Sequence, residues 1–213
     1  VAHSFPTRRS SDLGERLKRC RRVSCLYPEI CDNFITDHSE YVELLEAAEK
    51  VEGVNNVFVS SGIRFDLALK DEFFLQRLIS RHVSGLLKIA PEHFDPQVLE
   101  LMRKPPPELW RRFREAFLRI SGKCGKEQYI EPYIMVAFPG CGAEAMKSAA
   151  EELLKQGMSP RRAQIFLPTP MTMATAMYCT GIDPVSGDRL RVEKKPSQKK
   201  RQLRILPGHS KKK

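Results

Sequence analysis

The chain has 213 residues, 41% of them hydrophobic, an ordinary composition for one globular domain with a tail. No apolar run approaches the ~18 residues of a membrane-spanning helix, and no charged-then-apolar start marks secretion, so the six cysteines read as free thiols or ligands in a cytoplasmic protein. The formal net charge of +10 sits wholly at the end: residues 189 to 213 hold eleven Lys or Arg against one acid, Glu193, leaving 25 of each elsewhere.

The opening FPTRRSSDLG resembles a translated sequencing-library adapter, so residues 1–13 are set apart from fold reasoning as a non-native leader. The first methionine is Met102, which reads as a fragment of a longer chain. Residues 14–38 form a cysteine-rich segment, CRRVSCLYPEIC, in which Cys20, Cys25 and Cys31 are spaced C-x4-C-x5-C. That spacing fits no common zinc pattern. His38 could complete a four-ligand set, and the plainer reading is three thiols in an irregular segment.

From residue 39, SEYVELLEAAEKVEG puts Val42, Leu45, Ala48 and Val51 on one helical face, with Gly53 to end it. VFVS at 57–60 reads as a strand. DEFFLQRLISRHVSG is a helix with Asp71 as N-cap and Phe74, Leu75, Leu78 and Ile79 facing a core. LLKIA at 86–90 is the next strand, and DPQVLELMRK a short helix capped by Asp95 with Pro96 in its first turn. PELWRRFREAFLRISG turns Trp110, Phe113, Phe117 and Ile120 inward. YIEPYIMVAF is a strand, AEAMKSAAEELLKQG a helix, and AQIFLP at 163–168 the last strand.

Strands joined by helices run parallel, because each connection must return to the starting edge. Their near-continuous apolar character suits a helix-covered sheet. The expected class is therefore α/β, with about four parallel strands and flanking helices, either doubly wound or part of a barrel. In both, sites lie in loops after the strands' C-terminal ends. Those loops carry Arg64 and Asp66, then Glu92 and His93 beyond Lys88, and then the tight turn Pro139-Gly140-Cys141-Gly142. Lys88, Glu92 and His93 are a candidate acid/base set; the plainer reading is an ion pair with a capping histidine. Met171, Met173 and Met177 read as packing. Cys124, Cys141 and Cys179 read as incidental, with Cys141 singled out by its place at a strand end.

Taken together, CRRVSCLYPEIC, SSGIRFDLAL, LLKIAPEHFDPQVLELMRKP, GKEQYIEPYIMVAFPG and QIFLPTPMTMATAMYCTG resemble the YgiQ-type radical SAM proteins in order and spacing, over residues 19 to 204. The resemblance implies the C-terminal half of a (βα)6 barrel at 39–182, followed by a basic tail and truncated extension at 183–213. It implies S-adenosylmethionine as cofactor and a [4Fe-4S] cluster in the intact parent, held by a C-x3-C-x2-C loop that this sequence does not contain. Cys20, Cys25 and Cys31 then resemble a second, auxiliary or structural, cysteine segment. By the same resemblance Lys88, Glu92, Ala137, Phe138, Pro139, Gly140 and Leu167 are the expected S-adenosylmethionine contacts, and Arg64 is expected to face its carboxylate or the substrate. The chain departs from the family where relatives often read HPGTTDEDM: Phe138 stands for a histidine and Cys141 for a threonine.

The implied partners are an electron donor for the parent and an unidentified substrate, with no membrane. This chain alone is expected to be inactive. The competing reading is a non-enzymatic module whose basic tail binds nucleic acid nonspecifically. It is not favoured, because the body is neutral and such tails are usually just solvated.

Overall fold

The structure is a computed structural model, and it describes residues 20–22 and 24–209. The leader at 1–13 lies outside the described residues. Among the described residues eleven elements follow in order: α1 Ser39–Glu49, α2 Phe65–Ala68, α3 Glu72–Arg81, β1 Leu86–Glu92, α4 Pro96–Met102, α5 Pro107–Lys123, β2 Tyr129–Val136, α6 Ala143–Lys155, β3 Ala163–Ile165, α7 Met173–Thr180 and α8 Pro196–Leu203.

The three strands form one parallel sheet in the order β1-β2-β3. Burial alternates along β1 and β2. Leu87, Ile89, Ile134 and Val136 are buried in the core, whereas Lys88, Ala90, Tyr133 and Met135 are only half-buried. One face is therefore packed and the other partly open, an arrangement consistent with part of a barrel and not with a sheet layered on both sides.

Local chemistry sets two helix starts as expected. The Asp71 carboxylate accepts from Phe74 N at 2.8 Å, and that of Asp95 from Val98 N at 3.1 Å, each satisfying a donor that a helix N-terminus leaves unpaired. Phe74, Leu75, Leu78 and Ile79 are buried on α3, and Trp110, Phe113, Phe117 and Ile120 on α5. Phe65 meets the Trp110 ring edge-on at 5.9 Å, which seats the short helix α2 on α5. The Trp110 indole N–H donates to Gln156 Oε1 at 2.9 Å and ties α5 to the end of α6.

Four expectations are corrected. Residues 57–60 form no strand: Val59 N donates to His82 O, and only Ile63 bridges β1, in parallel with Ile89. The β-branched run is there, but a strand needs a continuous ladder partner, and this one has a single pair. The first helix stops at Glu49, so Val51 is 58% exposed rather than on the buried face. β3 is three residues long, not six. Finally, the basic tail is not merely solvated: α8 packs on β2 and β3, with Lys199, Gln202 and Leu206 buried. No helix among the described residues is long and apolar enough to cross a membrane.

Candidate functional site

Parallel strands present their C-terminal ends together, and here β1 and β2 both finish in left-handed backbone. Glu92 has φ 69° after an irregularity in the β1 ladder, and Ala137 has φ 60° directly after β2. Non-glycine residues in this region carry strain that the surrounding structure must hold.

At the end of β1, Glu92 Oε1 accepts from Lys104 Nζ at 3.2 Å. His93 is fully buried. Its Nδ1 accepts from Asp95 N at 3.0 Å, so the ring proton lies on Nε2, 3.4 Å from Met146 Sδ and 3.6 Å from Cys141 Sγ. Burial pushes the imidazole down to about 4 and the Cys141 thiol up to about 12. Both are neutral near pH 7, and the thiol has no base to take its proton. The plainer reading holds for His93, which caps the Asp95 amide and joins the ends of β1 and β2, but the ion pair of Glu92 is with Lys104 and not with Lys88.

The turn after β2 is tightly committed. Ala137 N donates to Gln202 Oε1 at 3.1 Å, Gln202 Nε2 donates to Cys141 O at 2.9 Å, and Gly140 N donates to Arg191 O at 2.8 Å. Cys141 N closes the turn onto Phe138 O at 2.8 Å. Gly140 has φ 89°, and a Cβ there would lie 2.2 Å from Leu101 Cδ1, so the close approach it permits is to α4 and not to a ligand. Phe138 is buried edge-on against Phe166 at 5.3 Å. Pro139 is buried beside it. With the amides of 137, 140 and 141 all bonded within the chain, the turn is a rigid wall rather than an open anion cradle.

The other expected contacts are dispersed. Arg64 makes a two-pronged ion pair with buried Asp66, Nε to Oδ1 at 2.8 Å and Nη2 to Oδ2 at 2.9 Å. Lys88 is half-buried on the open face and pairs in register with Glu131. At a strand rise of ~3.3 Å per residue, it sits roughly 20 Å below Ala137 along β2. Leu167 is 66% exposed beyond β3.

Cys20 and Cys25 are exposed thiols and Cys31 is half-buried. Cys31 N donates to Cys25 O at 2.8 Å, closing a backbone loop. Among the described residues no three His, Cys, Asp or Glu side chains are grouped to hold a metal. His38 is engaged elsewhere, with Nδ1 3.2 Å from Asp71 Oδ2 and its ring stacked on Phe74 at 4.4 Å. The methionines divide: Met177 is buried, while Met171 is fully exposed and Met173 39% exposed. Gln202 is the residue that sequence reasoning misses. It bonds residues 61 and 65 positions away, and nothing in a lysine-rich run marks one amide for burial.

No protein-family model matches the chain. It is similar to curated proteins named UPF0313 protein: 42% identical over 192 residues to one from Methanosarcina acetivorans, 40% over 192 to one from Methanosarcina mazei, and 43% over 188 to one from Thermotoga neapolitana. These matches cover 90%, 90% and 87% of this chain but only 26%, 31% and 33% of the relatives. The chain thus spans about a quarter to a third of the length of its relatives. At 40–43% identity over 87–90% of this chain, the similarity to UPF0313 proteins agrees with the YgiQ-type resemblance that its own motifs carry.

Proposed function

We propose that this chain supplies the later strands of a radical SAM barrel, whose parent binds S-adenosylmethionine and a [4Fe-4S] cluster and cleaves the former reductively. The observation that carries the reading is the sheet. Three parallel strands end at one rim, and His93 and Cys141 lock two of those ends together. The sequence motifs and the family similarity point the same way.

The residues present do not fit the cluster. The sequence contains no C-x3-C-x2-C, and Cys20, Cys25 and Cys31 are not grouped. The cluster ligands of the parent therefore belong, on this reading, to the part of the relatives that this chain does not span. What the chain itself offers is shape and charge. The wall from Ala137 to Gly140 is apolar and rigid, and Glu92, held by Lys104, is the charge at the end of β1, whereas Arg64, Lys88 and Leu167 lie apart from it.

The test is anaerobic reconstitution with iron and sulfide, chemical reduction, and assay for 5′-deoxyadenosine. A full-length relative should produce it, and replacing the glycine matching Gly140 by valine should abolish production. This chain alone should make none. Sustained turnover by this chain, or an inert full-length relative, would sink the proposal.

A further inference from the structure

Eight of the eleven Lys or Arg in residues 189–213 lie among the described residues, in and around α8. α8 lies along β3, the edge of the sheet, and an open groove of about 690 Å³ runs between them. Its lining holds four cations, Arg162, Lys194, Lys199 and Lys200, and no carboxylate. Lys199 is buried and structural: its ammonium lies over the Tyr178 ring at 4.8 Å and donates to Phe166 O at 3.5 Å. The other three are exposed. Among the described residues none of them lies within ion-pair distance of a carboxylate. The floor between them is apolar and aromatic, with Ile165, Leu167, Leu203 and Tyr133.

We infer that this groove binds single-stranded nucleic acid. Cations on both walls suit a phosphate backbone, and an apolar floor with a tyrosine suits unpaired bases. The unpaired backbone groups of an edge strand add sequence-independent hydrogen bonds. A bilayer is the poorer fit, because α8 spends its buried side on the sheet and has no apolar face left to insert. The inference does not rest on radical chemistry, and it holds or fails separately from it.

The test uses this chain, a short fluorescein-labelled single-stranded RNA of mixed sequence, and anisotropy titrations between about 50 and 200 mM salt. The variant Arg162→Gln/Lys194→Gln/Lys200→Gln should bind roughly tenfold or more weakly at low salt. Its slope of log affinity against log salt should be shallower by about 2, at ~0.7 for each phosphate no longer neutralised. The control Lys50→Gln/Lys70→Gln/Lys123→Gln removes the same charge from exposed positions elsewhere and should change the slope little. Circular dichroism checks that both variants are folded. The inference is overturned if the chain does not bind the RNA, or if both triple variants lose affinity equally. It is also overturned if replacing Lys211, Lys212 and Lys213 by glutamine alone abolishes binding, or if vesicles of phosphatidylserine and phosphatidylcholine displace the RNA.

Discussion

His93 shows how one side chain links the candidate site to stability. Its ordinary value is 6.5, and burial holds it near 4 in the folded chain. Between those values the unfolded chain binds more protons, so stability is complete above pH 6.5 and falls as pH drops toward 4. At 1.36 kcal/mol per unit, the loss approaches about 3 kcal/mol. Urea denaturation at pH 7 and pH 4.5 should show a large part of that difference. His93→Gln should be less stable at pH 7 but lose much less stability between the two, because it has no imidazole to titrate. Asp71 and Glu152, both held below the usual carboxylate value chiefly by hydrogen bonds that outweigh burial, add their losses only at lower pH. A wild-type profile that is flat between 6.5 and 4.5 would refute this account of His93. The capping role itself was legible, since a histidine just before an Asp-Pro helix start has a backbone amide within reach. Its contacts with Met146 and Cys141 were not, because they depend on how α6 lies against β1.

At the scale of elements, the departures from expectation share a cause. α3, α5 and α6 were legible because their apolar residues recur at helical spacing and form one face. α8 has no such stripe: it buries Lys199 through its stem and a ring, and Gln202 through paired hydrogen bonds. Composition thus hid an element that the packed structure requires. The consequence is measurable. Gln202→Ala would leave the buried Ala137 N–H and Cys141 O unsatisfied, at a cost of about 2 kcal/mol. It should also loosen the turn after β2, raising hydrogen exchange at Ala137 while Leu87 and Ile89 stay protected. Unchanged urea stability in this variant would mean that α8 does not hold the turn. The opposite error, the strand expected at 57–60, came from propensity without a partner. Val57 and Val59 bond the α3–β1 connection through His82, and the ladder with β1 is a single pair.

For the whole molecule, the open face and the β1 edge set its behaviour in solution. Leu86 is 39% exposed, Phe58 45%, Tyr129 57% and Leu167 66%. An edge strand beside exposed apolar side chains is a template for pairing with another chain. Among the described residues the outer side of β1 is guarded only by the single Ile63 bridge and a segment that adds no second ladder pair. This chain should therefore self-associate as its concentration rises, and light scattering across a dilution series would follow it. Phe58→Lys, which puts a charge beside that edge, should shift the association to higher concentration by several-fold without altering the far-ultraviolet dichroism, since Phe58 contributes little to the core. A full-length relative carrying the same edge should remain monodisperse if the rest of its chain covers it. If this chain stays monomeric at every concentration, the β1 edge is better protected than one bridge implies, and the segment at 57–63 forms a true fourth strand in solution. That outcome would restore the ladder expected from the sequence and bring Arg64 to a strand end alongside Glu92.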